Sequence, residues 1–308
     1  MRYQRLDLNL LVALRALLTE RNVTRAAQRM HVTQSAMSGI LSRLREYFED
    51  PLIVQVGRRM DLTPLGASLL APVSDLLVRI DATLGTRPEF DPASTRRRFS
   101  VMASDYVVTV LLADVLRRVH QEAPGVAIEL RLPSRDSALQ LEGGELDLLI
   151  TPEAFTATGQ ATVQLFEDDY CAVADRANAS VQEALSLAQY SALRHVCYES
   201  QGKPFFETWF ERAHGEIRQV EITAHSFQML PMLVLGTKRI ATMHRHMAER
   251  LAVTMPIKLV RLDFHVPHIL EVLQWHKHRE MDPGSQWLRR LIIEQAKSLK
   301  GAPARRPV

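Results

Sequence analysis

The sequence predicts an α+β protein: a helical N-terminal module with a small β element, a long connecting helix, and an α/β remainder in two lobes. Three observations carry that prediction. Apolar residues recur at helical spacing through residues 10–44 and again through 65–84. Between them, "LIVQVGRRMDLT" sets two short β-capable runs around a Gly-Arg-Arg turn. Beyond residue 96, β-rich runs alternate with helical ones, as in an α/β chain with a parallel sheet.

Asp7 caps a first helix whose Leu10, Leu11, Leu14, Leu17 and Leu18 share a face, and which ends near Arg21-Asn22. Thr24 opens a second helix that turns Ala26, Ala27 and Met30 inward. The turn His31-Val32 leads to Thr33, a cap, and to a third helix with Ala36, Met37, Ile40, Leu41 and Leu44 as its stripe. After the two-stranded wing, Pro64 suits a first helical turn. Leu65, Leu69, Leu70, Val73, Leu76, Leu77, Ile80 and Leu84 then continue a stripe for about twenty residues. A linker helix that pairs with a second copy of itself accounts for so wide an apolar face; packing onto its own domain is the alternative. "GTRPEFDPASTRRR" marks a boundary, and the tail "GAPARRPV" reads as disordered. In the α/β part "RFSVMAS", "GVAIELRL", "LDLLI", "DDYCAVAD", "LRHVCYE", "VEIT", "RIATM" and "ILEVLQWHKHRE" read as strands. The predicted divisions are 1–62, 63–95 and 96–300, with one lobe at about 96–168 and 268–300 and the other at about 169–267.

At 308 residues the chain exceeds one typical core. No run of 18 uncharged apolar residues occurs, so a membrane span and a cleaved signal are not expected. Cys171 and Cys197 form no metal or redox spacing, which fits a reduced cytoplasmic compartment. Net charge is +3, but residues 1–60 hold ten arginines against five acids. A basic module on a slightly acidic body suits a polyanion partner; a merely solvated basic face is the plainer alternative.

Two short helices, a tight turn and a polar-fronted second helix describe a helix-turn-helix, whose second helix enters the DNA major groove. Gln34 matches the donor–acceptor pair of adenine N6/N7, and Ser35 and Ser38 suit bases or phosphate. Arg43 and Arg45 lie further along, toward the phosphates, and Arg58 and Arg59 sit at the wing tip. Thr24 and Thr33 complete the DNA-facing set, with capping an equal explanation for Thr33.

On these residues the chain resembles LysR-type transcriptional regulators. The resemblance rests on "LDLNLLVALRALLTERNVTRAAQRMHVTQSAMSGILSRLREYFEDPLIV…LTPLG" and extends to "QWHKHREMDPGSQWLRRLI". It implies a winged helix-turn-helix, a dimerising linker helix and a two-lobed effector domain like a periplasmic binding protein. Within the family, "RLREYFEDPL", "GTKRIATMH" and the late Trp-His pair resemble the branch holding nodulation protein D and the salicylate-responsive regulator of naphthalene catabolism. Many members carry Phe at the place of Ile53 and Arg at the place of Gln55; the second change removes one phosphate contact from the wing. The resemblance implies an interrupted palindromic operator in double-stranded DNA, a dimer of dimers, and RNA polymerase as a further partner.

In such α/β lobes ligands sit at the carboxyl ends of strands. That rule selects Ser104, Asp105, Ser134 and Thr151 from one lobe and Gly202, Lys203, Pro204, His225, Ser226, Phe227 and His244 from the other. Lys203 or His225 would pair an anion, and Phe227 and Phe205 would stack on a ring, which fits an aromatic acid or phenolic effector. The pairs His244/His246 and His276/His278 lack further ligands at metal spacing, so no metal or cofactor is expected. His276 beside Trp275 reads as core packing at the hinge. No GxSxG, HExxH, GxGxxG or P-loop pattern argues for an enzyme. The competing readings are an enzymatic or small-molecule-binding α/β protein with a vestigial DNA-binding module, and a solute-binding protein.

Overall fold

The computed structural model describes residues 7, 9–57, 59–84, 90–199 and 204–299. The chain divides into two compact units, residues 1–86 with 142–144, and residues 87–141 with 145–308.

The first unit holds helices α1 (Asn9–Glu20), α2 (Val23–Arg29) and α3 (Gln34–Phe48), a hairpin of β1 (Ile53–Val56) and β2 (Arg59–Leu62), and α4 (Pro64–Leu84). The Asp7 carboxylate accepts the Asn9 N–H at 2.9 Å, and α1 stops where Arg21 turns left-handed at φ 46°. Asn22 caps α2 by accepting from Arg25 N–H, and Thr33 caps α3 by accepting from Ala36 N–H at 3.2 Å. Leu14, Leu17, Leu18, Ala26, Met37 and Leu44 form one fully buried core.

A polar knot joins the end of α3 to the start of α4. Asp50 Oδ1 accepts from Leu52 N–H and from the Thr63 hydroxyl, both at 2.6 Å, and Thr63 Oγ1 accepts from Gly66 N–H at 3.0 Å. A Cβ at Gly66 would stand 2.4 Å from the Leu52 carbonyl oxygen, so only glycine allows this approach. The motifs "EDPL" and "LTPLG" are thus two halves of one hydrogen-bonded joint.

Two readings of the first unit are corrected. Ala36, placed in the α3 stripe, is exposed, because the buried face uses Met37, Leu41 and Leu44. The α4 stripe does not face one way. Leu69, Leu70, Val73 and Leu77 pack into the core shared with α1, while Leu76 is 44% exposed. Much of the stripe therefore covers its own domain.

The second unit contains two sheets. The first has the order β4-β3-β5-β13-β6, built from β3 (Arg98–Met102), β4 (Ala127–Arg131), β5 (Leu148–Pro152), β6 (Ala161–Asp168) and β13 (Ile269–Trp275). The second has the order β10-β9-β11-β7-β12-β8. It comprises β7 (Tyr170–Asp175), β8 (Ala184–Leu185), β9 (Arg194–Tyr198), β10 (Gln219–Ala224), β11 (Ile240–His244) and β12 (Ile257–Leu262). The chain crosses between sheets at 168–170 and returns at 262–269. Helices α5 (Asp105–Val107), α6 (Ala113–Glu122), α7 (Ser137–Glu142) and α12 (Pro283–Ala296) belong with the first sheet. Helices α8 (Leu187–Ala192), α9 (Phe205–His214), α10 (Met229–Val234) and α11 (Arg245–Ala252) belong with the second. A π turn, Val108–Leu112, joins α5 to α6.

The sheets are mixed rather than parallel: β13 runs antiparallel to β5 and β6, and β7 antiparallel to β11 and β12. Those reversals follow from the two crossings; β6, β8 and β12 are strands beyond those read from the sequence, although "ATVQL" in β6 alternates apolar and polar. The strand ends at Trp275, before "HKHRE", which forms a single turn instead. Trp275 pairs with Ala161 at the end of β13 opposite the crossing, where Ile269 pairs with Asp168. His276 is buried there, accepts from His278 N–H at 3.2 Å, and lies roughly 20 Å from the crossing by strand rise. It is a core residue, as expected, but not at the hinge. The Trp275 indole donates to Glu280 at 2.6 Å, and the Arg289 guanidinium lies 4.0 Å from the Trp275 ring centre.

Candidate functional site

The polar residues that front α3 stand on a rigid support. Gln34, Ser35, Ser38 and Arg43 are exposed, and so are Thr24 and Thr33. Thr33 Oγ1 serves the cap and lies 3.0 Å from Ser35 Oγ. Most described arginines of this unit are engaged: Arg21 with Asp61 at 3.0 Å, and Arg25 and Arg29 with Glu20 at 3.4 and 3.0 Å. Arg43 and Arg59 have no hydrogen bond or ion pair among the described residues, so both guanidinium groups are available to an outside anion. Arg45 is different. Its Nε and Nη2 donate to the Pro51 and Ile53 carbonyls at 2.9 and 3.0 Å, so it braces the wing against α3. Its assignment to phosphate is corrected accordingly. Arg58 lies outside the described residues.

In the second unit a cavity of about 400 Å³ opens between the two sheets. Ser104, Ser134, Thr151, Pro204, Phe227 and His244 line it, six of the residues selected from strand ends. Thr151 lies inside β5 rather than beyond it, and Phe205 also reaches the wall. Asp105, His225 and Ser226 do not line the cavity. Asp105 Oδ2 accepts from the Ser226 hydroxyl at 2.6 Å and from Gln228 N–H at 3.2 Å, joining the start of α5 to the loop before α10. Gln228 Nε2 adds a bond to Thr109 Oγ1 at 2.9 Å. Residues chosen as ligand contacts thus form a latch between sheets. His225 Nδ1 lies 2.8 Å from the Glu199 carbonyl and is exposed. Gly202 and Lys203 lie outside the described residues.

Strand-end reasoning found Phe227 but missed three rings beside it: Tyr106 inside α5, Tyr170 at the start of β7 and Tyr198 at the end of β9. Tyr106, Tyr170, Tyr198 and Phe227 supply rings, with Tyr198 stacked on Phe227 at 3.8 Å and Tyr106 stacked on His244 at 3.7 Å. The Tyr106 hydroxyl donates to Asp168 Oδ2 at 2.7 Å. Asp168 also accepts the N–H groups of Asp169 and His246, and His246 Nδ1 stands 3.0 Å from Asp168 Oδ1. That contact raises the His246 pKa. Burial drives the His244 pKa down to about 4, leaving a neutral imidazole. Burial, reinforced by Asp168, pushes the Glu271 carboxyl up to about 8, so at neutral pH it is mostly a neutral acid. Glu271 Oε2 and His244 Nδ1 are buried without a hydrogen-bond partner. The histidine pairs considered for a metal are thereby accounted for: His244 by Tyr106, His246 by Asp168, and His276 and His278 by their own turn.

The cavity has the makings of a binding site: aromatic walls, a few inward polar groups, and a latch that ties its two sides. Among the described residues no helix is long and apolar enough to cross a membrane.

Residues 8–67 match the bacterial regulatory helix-turn-helix protein, lysR family, and residues 92–297 match the LysR substrate binding domain. Nodulation protein D of Bradyrhizobium sp. (strain ANU 289) is 37% identical over 97% of this chain and 89% of its own length. Nodulation protein D 2 of Rhizobium tropici is 37% identical over 100% of this chain and 98% of its own. Among solved structures, a probable transcriptional regulator of Pseudomonas aeruginosa is 29% identical with a TM-score of 0.63, covering 98% of this chain and 99% of its own. Full-length OxyR of the same organism shares the fold at 15% identity, with a TM-score of 0.70 over 99% of both chains. The fold is also that of CbnR in complex with its target DNA, at 17% identity and a TM-score of 0.51 over 94% of this chain and all of the other. With both domains matched in order, the chain belongs to the LysR family: it is a transcriptional regulator with a DNA-binding helix-turn-helix and an effector-binding domain, and not an enzyme.

Proposed function

We propose that the protein is a cytoplasmic switch that reads an interrupted palindrome through α3 and is set by a small molecule held in the cavity between its two sheets. The carrying observation is the front of α3, where Gln34, Ser35 and Ser38 stand exposed on a capped helix whose other face is fully packed. Gln34 reads an adenine edge, Ser35 and Ser38 bond to bases or phosphate, and Thr24 supports the backbone contact. Arg43 and Arg59 neutralise phosphates, and Arg58 is assigned beside them from sequence. A relative in the fold, CbnR, has been solved on its target DNA, which supports the same use here.

The effector, an aromatic acid or phenolic, lies against Ser104, Ser134, Thr151, Phe227 and His244, with Pro204 at the start of α9; Gly202 and Lys203 are assigned to it from sequence alone. A ligand that binds the latched form better shifts the population toward it and changes how paired modules meet their half-sites. One module reads too few bases for specificity, so two or four copies act together, as a dimer of dimers, with RNA polymerase as the downstream partner.

Sequencing of genomic fragments retained by the purified protein, beside the Gln34→Ala variant, tests the reading. An interrupted palindrome enriched by the wild type and lost in the variant is the expected result. Equal enrichment by both would remove Gln34 from the reading residues.

A further inference from the structure

We infer that the inner end of the cavity, where Glu271 and His244 meet the two buried tyrosines, selects an uncharged hydrogen-bonding group on the effector, a hydroxyl or carbonyl, and rejects a carboxylate. The inference rests on the reading of the cavity as the effector site, and it chooses between the two ligand classes proposed above.

The argument starts from Glu271. It sits on β13, a strand flanked on both sides, opposite Pro152 on β5 and Phe166 on β6. Only 2% of the residue is exposed, and Oε2 has no donor. No arginine or lysine among the described residues pairs with it. A second acid, Asp168, lies close enough to disfavour its ionisation. Asp168 differs in having its donors in place. It accepts from the Tyr106 hydroxyl and two backbone N–H groups, and His246 of α11 faces it. Glu271 has no such donors, and burial favours its protonated form.

The remaining groups facing this end are neutral or engaged. Tyr106 and Tyr170 are held in the phenol form by burial. His244 is a neutral ring with Nδ1 unsatisfied. Glu207 of α9 lines the outer wall, paired to Arg218. Arg135, also part of the cavity lining, is exposed. A carboxylate at the inner end would meet the Glu271 acid and no arginine or lysine of the inner wall. A hydroxyl would accept from the Glu271 acid proton or donate to Glu271 or His244, satisfying atoms that are now orphaned. A cation would suit an ionised Glu271. Against it, the faces of Tyr106 and Phe227 that would cradle one are already covered by His244 and Tyr198.

Three near-isosteric probes test this on the full-length protein by calorimetric titration at pH 7: biphenyl-4-methanol, biphenyl-4-carboxylate and biphenyl-4-methylammonium. The alcohol is expected to bind at least about tenfold more tightly than either ion. Its affinity should change as pH passes through about 8, where Glu271 ionises, and Glu271→Gln should remove that dependence while keeping the rank order. A carboxylate or ammonium that binds as well as the alcohol overturns the inference. An infrared difference spectrum between wild type and Glu271→Gln gives a readout without ligand. A protonated-carboxyl band at pH 7 is expected, and its absence overturns the inference whatever binds. If the band is present and none of the three probes binds, the reading of the cavity as effector site falls, and this inference with it.

Discussion

Glu271 carries a charge question that stability can also answer. Its ordinary pKa of 4.5 holds in the unfolded chain, and folding raises it to about 8. Between those values the folded protein keeps a proton that the unfolded chain has lost. Its contribution is therefore complete below 4.5 and is lost as pH rises through 8. Glu271→Gln cannot ionise, so its melting temperature is expected to gain on the wild type as pH rises from 5 to 8; equal pH slopes would place the proton elsewhere. His244 runs the other way. Its folded pKa is depressed to about 4, so its contribution is present above 6.5 and is lost as pH falls through 4. At the DNA surface, Gln34→Ala is expected to cost ~1–3 kcal/mol at the specific site and relax one base preference. Arg43→Ala should instead weaken all sequences alike and flatten the salt dependence in a filter-binding series. Gln34 was legible from the sequence because its type and place on the helix are local facts. Glu271 was not: nothing in "ILEVLQW" says that its second carboxylate neighbour comes from a strand a hundred residues earlier.

The helices of the first unit were legible because each has a cap and a stripe, and both are short-range. The exceptions are elements whose surroundings decide. The α4 stripe reads as one apolar face, yet the fold uses Val73 and Leu77 against α1 and leaves Leu76 exposed. This separates two functions that the pattern merges. Leu77→Ala is expected to destabilise the first unit by about 2–5 kcal/mol, measured by denaturant melting, through loss of core volume. Leu76→Glu should leave the melt nearly unchanged and shift the sedimentation coefficient toward a smaller species; an unchanged oligomer would exclude Leu76 from the pairing surface. Arg45 teaches a similar lesson. An exposed arginine on a DNA-facing helix looks like a phosphate ligand until the carbonyls of Pro51 and Ile53 claim it. The cleft residues divide on the same ground. Ser104 and Thr151 follow from strand order, whereas Asp105 and Ser226 prove to hold the two sides to each other.

For the second unit as a whole, the latch is what ties the two sheets beside the cavity. Asp105, Ser226, Gln228 and Thr109 form three hydrogen bonds between α5 or the π turn after it and the loop before α10, and Arg250 adds bonds to the Thr109 carbonyl and Asp114 at 2.6 Å. Asp105→Ala is expected to weaken effector binding about tenfold or more without abolishing it, because the cavity walls remain and only closure is penalised. Unchanged affinity by titration would mean that closure is set by the ring contacts alone. Mixed sheets were hidden from the sequence because strand direction depends on which neighbours each strand takes in its sheet, and a lobe boundary at about 168 does not fix that.

The place of β13 between β5 and β6 also orders events in time. The DNA-reading helices lie within the first 84 residues, whereas the first sheet cannot close until Ile269–Trp275 arrives. At a synthesis rate of about 5–20 residues per second, roughly 10–40 s separate the two. During that interval each growing chain carries a finished reader without a working sensor, with the edges of β5 and β6 unpaired and open to wrong partners. A message cut short before codon 269 would release a DNA-binding protein that no effector can instruct.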